Sequence, residues 1–172
     1  IGTKKLSEMF LSFDSSLYLK PFPFYSIQDK RFRYLRDEIL GEKKYNQIMD
    51  QMIESSNLDL SSVAKRIWFD SESIKYLSDS GHLIGLHTHT HPTRLNLLDY
   101  EGQFNEYKRN YEILTSITNS TISVAAHPTN SYNQDTFKVF NQLGIKIAFC
   151  SNMDGSGRSD FEFPRLDHAL FI

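Results

Sequence analysis

Apolar and polar positions change their period along this chain, and the changes mark its elements. Over residues 42–55, Tyr45, Ile48, Met49, Met52 and Ile53 recur at spacings of three and four, which is one face of an amphipathic helix. Residues 60–69 suit a second helix. Asp70 reads as the N-cap of a third over residues 71–80, with Ile74 and Leu77 on its apolar face and Gly81 as its stop. The longest helical pattern covers residues 98–117, where Phe104, Tyr107, Tyr111 and Leu114 are three or four apart. A further helix starts at Asn133 or Asp135, carries Phe137, Phe140 and Leu143, and ends at Gly144. Between these helices lie extended runs over residues 82–91, 121–126, 145–150 and 161–166, the first two cut off by Pro92 and Pro128. The first forty residues have no clean period, because Phe22, Phe24, Phe32 and Tyr34 mix with prolines and with the basic residues Lys30, Arg31 and Arg33.

Strands alternating with helices over short connections predict an α/β fold, a parallel sheet covered by helices. In such sheets a ligand site gathers at the carboxyl ends of the strands. Each predicted strand is followed there by a polar cluster, at residues 87–91, 127–132, 151–158 and 165–168.

Composition narrows the function. With 172 residues and 40% hydrophobic positions the chain is expected to form one domain over residues 1–172. Nineteen Lys plus Arg against twenty-one Asp plus Glu give a net charge of −2, without the cationic surplus that nucleic acid demands. The single cysteine, Cys150, cannot form an internal disulfide, and no apolar run approaches the ~18 residues of a membrane span. A cytoplasmic location is expected on these grounds. Trp68, Phe69 and Tyr100 are expected to pack in the core, and the basic run from Lys30 to Arg36 to form a solvated face.

His87, His89 and His91 place three imidazoles within five residues. Residues four apart share a face in a helix and also in a strand, so His87 and His91 can converge on one divalent metal in either case. His89 joins them only if the segment stays extended. Neutral imidazole is a common zinc ligand, and catalytic zinc sites use three protein ligands and an open position. The competing reading is a set of polar residues on a solvated strand end.

The string carrying Gly81, Ile84, Gly85, His87, Thr88, His91 and Pro92 resembles the histidine motif of the polysaccharide deacetylases, which include chitin and peptidoglycan deacetylases. In that family the two histidines bind the catalytic metal, usually zinc, and the Ser or Thr after the first steadies the loop. His127, Pro128, Asn130 and Tyr132 look like a later motif that walls the active-site groove. Pro164, Arg165 and Asp167 are similar to a Pro-Arg-x-Asp segment of some members, and Leu166 with His168 fits a pattern that supplies the general acid. The resemblance covers residues 70–172 and implies a distorted (β/α) barrel with residues 1–70 as a variable region.

By this resemblance the chain is a metal-dependent hydrolase that removes an acetyl group from an amino sugar or polysaccharide. His87 and His91 would hold the metal, zinc being the first choice. Metal-activated water would attack the acetyl carbonyl, an Asp would take its proton, and His168 or His127 would return one to the leaving amine. Arg165 would orient the catalytic carboxylate and Asp167 would hold His168. Thr88, His89, Pro128, Asn130 and Tyr132 would contact substrate; turn chemistry and core filling compete for Asn130 and Tyr132. The family's T-F-D-D-G motif, source of the base and a third ligand, has no intact copy here. The nearest string surrounds Asp14, with Ser15 in the ligand's place. The expectation is that this motif precedes Ile1, leaving the barrel incomplete at its N-terminus. Two alternatives stay open: a phosphoesterase or amidohydrolase using the His-x-His string, and a carbohydrate-binding descendant without catalysis.

Overall fold

The computed structural model describes residues 8–20, 22–153 and 159–166. The described residues of 1–64 form one compact unit and those of 65–168 another.

In the first unit, helix α1 (Ile27–Tyr34) opens on a capping box in which the Ser26 hydroxyl and the Asp29 carboxylate satisfy each other's backbone amides. A π-helical turn (Leu35–Leu40) leads into α2 (Gly41–Ser55). The aromatic residues of this region cluster locally: Tyr34 meets Phe10, Phe13 and Tyr18 with ring centroids 5.2–6.1 Å apart, Phe22 meets Phe24 at 6.0 Å and Phe32 meets Tyr45 at 6.1 Å. Helix α3 (Leu60–Ile67) follows, and Trp68 and Phe69 beyond it are largely exposed rather than packed in a core.

The second unit is built on a parallel pair, β1 (Val124–Ala126) and β2 (Ile147–Phe149), with Ala125 opposite Ala148. Parallel bridges extend it on both sides, Leu86 to Ala125 and Phe163 to Phe149. Four chain segments thus lie side by side in sequence order and run the same way, so their carboxyl ends share one edge. The expected extended runs at 82–91 and 161–166 are present only as these single bridges. Leu86 donates its N–H to Val124 and accepts from Ala126, at 2.9 and 2.8 Å, and the pairing ends as the His87 amide turns to Asn110 and Thr88 becomes left-handed.

Helices cover the sheet. Asp70 caps α4 (Ser71–Asp79), Asp99 caps α5 (Tyr100–Thr118), and Asn133 caps α6 (Gln134–Leu143) with a second capping box through Thr136. Left-handed Asn119 and Gly144 end α5 and α6. The core holds Leu86, Leu95, Tyr107, Ile122, Ala125, Val139, Phe140, Ile145 and Ala148. Tyr107 of α5 meets Phe140 of α6 edge to face at 4.8 Å. Between the same helices Gln103, fully buried, donates to the Leu98 carbonyl and accepts from Thr136 Oγ1, so its amide costs little to bury. Among the described residues no helix is long and apolar enough to cross a membrane.

Candidate metal and active site

The site candidates gather at the carboxyl edge of the sheet because the chain turns sharply there after each segment. After Leu86 the chain leaves the extended region: Thr88 and His91 are left-handed, with φ +65° and +57°. Such conformations cost a residue with a Cβ roughly 1–2 kcal/mol each, so the loop is held from outside. Glu106 of α5 does this. One carboxylate oxygen accepts from the amides of His89 and Thr90 at 3.0 and 2.8 Å, and the other from the Thr90 hydroxyl at 2.8 Å. One turn further along α5, Asn110 Oδ1 accepts from the His87 amide at 3.0 Å.

The fold brings the His87 and His91 rings together, with centroids 4.9 Å apart. His87 Nδ1 lies 2.8 Å from the Ala126 carbonyl, which can only accept. The ring therefore carries its proton on Nδ1 and leaves the Nε2 lone pair bare, the arrangement that fixes a metal-ligating imidazole. Burial holds the His87 pKa below its ordinary range, with His91 and the Arg165 guanidinium pushing the same way and the Ala126 carbonyl opposing them. At neutral pH the ring is uncharged and able to ligate. An imidazole nitrogen bare in this way suits a borderline ion such as zinc, and the adjacent His91 ring is the candidate for a second ligand. Among the described residues no group of three or more His, Cys, Asp or Glu side chains that could hold a metal ion is present, so the pair stands without a third ligand.

The other candidates fall into two groups. Thr88 is buried, its hydroxyl donating to the His87 carbonyl at 2.6 Å, whereas His89 is exposed. The chain does not stay extended from His87 to His91, which was the condition for His89 to join them. Pro128 is buried at the start of a 3-10 turn, and Thr129 and Asn130 are both left-handed. Asn130 Oδ1 accepts from the Ser151 amide at 3.0 Å, tying the loop after β1 to the loop after β2. Arg165 is exposed, and its amide donates to the Asn152 carbonyl. Asp167 and His168 lie outside the described residues.

His127 faces inward. Its side chain is fully buried, stacked on Tyr132 with centroids 4.1 Å apart and on Phe140 at 5.4 Å. Nε2–H donates to the Phe161 carbonyl at 2.7 Å, while Nδ1 has no partner among the described residues. Burial lowers its pKa, against the opposing effects of the Phe161 carbonyl and Glu162. The Tyr132 hydroxyl donates to Glu162 at 3.1 Å and accepts from the buried Cys150 thiol. Asp14 lies in the other unit, in a turn where its carboxylate accepts from the Ser16 amide and hydroxyl, and these bonds lower its pKa.

Sequence reasoning missed Glu106 and Asn110. The signal was available: polar residues at 103, 106 and 110 continue the three- and four-residue spacing of the buried positions of α5, where an amphipathic helix has apolar ones.

The family profile of the polysaccharide deacetylases matches residues 43–148, more than half of the chain. This chain belongs to the polysaccharide deacetylase family. No curated protein matches it. Among solved structures it is similar to the Streptococcus pyogenes deacetylase PplD in complex with acetate, at 21% identity and a TM-score of 0.53, over 57% of this chain and 44% of that one. That likeness bears on the fold alone, and this polysaccharide deacetylase family member spans less than half of the length of PplD. A CE4 family pseudoenzyme from Bacillus anthracis aligns at 18% identity over 45% of this chain and 27% of that one, with a TM-score of 0.43 that carries no argument.

Proposed function

We propose that this polysaccharide deacetylase family member removes acetyl groups from an amino-sugar polysaccharide with a divalent ion, zinc, held by His87 and His91. The observation that carries the reading is the His87 ring, locked by Ala126 so that Nε2 is bare beside the His91 ring. When bound, the ion would lower the pKa of water and stabilise the oxyanion of the attacked acetyl group. A third ligand, a carboxylate by family resemblance, has to come from outside the described residues.

The chain's own groups divide the remaining work. Arg165, close enough to depress the His87 pKa, sets positive charge at the rim where acetate would leave. His89 and Asn130 line the substrate side of the loops, and Thr88 and Pro128 act from beneath by fixing loop shape. His127 has its Nε2–H committed to Phe161 and no exposed surface, which suits a positioning role against Tyr132 better than proton delivery. Proton return to the sugar amine falls to His168, oriented by Asp167. The sequential parallel order of the four strand segments suits an arc of a (β/α) barrel, and the proposal treats residues 1–172 as one catalytic domain with its variable part before residue 70.

The test is metal content and acetate release. The intact chain should bind one zinc ion and release acetate from acetylated chitin or peptidoglycan fragments. His87→Ala or His91→Ala should abolish both. Absence of metal at this pair under non-chelating conditions would sink the proposal, and zinc binding without acetate release would favour the carbohydrate-binding descendant.

A further inference from the structure

Helix α5 is more than a cover for the sheet. Its Glu106 and Asn110 are one turn apart and together accept from three consecutive-loop donors, the amides of His87, His89 and Thr90, along with the Thr90 hydroxyl. These groups span the segment between the two candidate ligands. The same segment contains two left-handed residues with Cβ atoms, Thr88 and His91, which no glycine relieves. A carboxylate accepting two backbone amides on one oxygen and a hydroxyl on the other is a strong, directional clamp. It fixes the turn between the imidazoles rather than either imidazole itself.

We propose that Glu106 and Asn110 are positioning residues that hold His87 and His91 in ligating register from α5, Glu106 through the loop turn and Asn110 through the His87 amide. This rests on the reading of His87 and His91 as the ligand pair. The clamp works by geometry: a glutamine at 106 can offer its oxygen to the two amides and its NH2 group to the Thr90 hydroxyl, so the neutral isostere keeps the arrangement. Neither residue is a catalytic group, because both act on the loop's backbone amides and the Thr90 hydroxyl.

The experiment uses the full chain and two readouts. In the metal-free protein, amide hydrogen exchange at His89 and Thr90 should accelerate at least tenfold in Glu106→Ala relative to wild type, and exchange at His87 should do so in Asn110→Ala. Glu112→Ala, which removes only an exposed partner of Lys108 on the same helix, should change neither. Zinc titrated against a chromophoric chelator should bind at least tenfold more weakly to Glu106→Ala and Asn110→Ala, and within threefold of wild type to Glu106→Gln. Unchanged exchange in Glu106→Ala would overturn the clamp. Faster exchange with unchanged zinc affinity would overturn its role in register, and a Glu106→Gln as defective as Glu106→Ala would assign the effect to charge. Should Glu106→Ala not fold, Thr90→Ala and Glu106→Gln carry the same comparison: retained folding with at least threefold weaker zinc binding in Thr90→Ala supports the clamp, and unchanged binding overturns it. If wild type binds no zinc, the proposed function fails while the exchange readout still decides whether Glu106 holds the loop.

Discussion

Gly85→Ala tests how closely the histidine segment must approach the sheet. Gly85 immediately precedes Leu86, the residue that bridges to β1, and a Cβ there would lie 3.0 Å from Val124 Cγ2 and 3.2 Å from the Val124 carbonyl oxygen. The first contact can be eased by the valine side chain. The second cannot, because that oxygen accepts the Leu86 N–H at 2.9 Å and its retreat lengthens the bond. Gly85 does not have a positive φ, so the cost is steric alone. Crowding of this kind costs typically 1–3 kcal/mol. In a folding unit of about 100 residues, the size of the compact unit over residues 65–168, each kcal/mol lowers Tm by about 4–8 °C, so thermal unfolding of that unit followed by circular dichroism should show a loss of about 4 °C or more. The double variant Gly85→Ala/Val124→Ala should recover only part of it, since the carbonyl contact persists. A Tm within ~2 °C of wild type would refute the argument, and full recovery in the double variant would place the strain on Cγ2 instead.

Acidification gives a further prediction. Burial lowers the His127 pKa below the ordinary 6.5, so as pH falls the unfolded chain takes up a proton before the folded one does. Stability from this residue is complete above about pH 6.5 and is lost below it, by up to ~1.4 kcal/mol per pH unit until the folded pKa is passed. Urea unfolding of the metal-free chain at pH 7.5, 6.5 and 5.5 should show this slope, and His127→Gln, which can still donate to Phe161, should reduce it by about one proton. At Asn130 the left-handed backbone and the bond to Ser151 separate by substitution. Asn130→Gly should lose about 1 kcal/mol with the bond, and Asn130→Ala roughly 1 kcal/mol more with the backbone conformation, by urea unfolding; equal losses would contradict the strain at this position.

Local signals in the sequence translated well where one element decides its own fate. Asp70 and Asn133 cap the helices expected after them, Gly144 ends the helix before it, and the 98–117 pattern is α5 shifted by a residue or two. The extended runs flanking β1 and β2 did not translate into strands, because pairing depends on what lies alongside, and Leu86 and Phe163 each find one bridge. At the site, the spacing of His87 and His91 was legible and the turn between them was not. An alternating His-Thr pattern reads as extended, and the distant Glu106 and Asn110 side chains hold the left-handed path in place. His127 reads as a groove residue and a candidate general acid because its burial comes from Tyr132, Phe140 and Phe161, on elements that follow it.

The clamp on the histidine loop also bears on the order of assembly. Glu106 lies 17 residues from His89 and 16 from Thr90, whereas the carbonyl that orients the His87 ring is 39 residues away. Closing the shorter loop is less costly by about 0.7 kcal/mol of chain entropy. It also needs only α5, whose helical turns form far faster than strands pair across long separations. On refolding, the loop would take its bend from its own downstream helix first, and the sheet would then arrive at a turn already shaped to receive it.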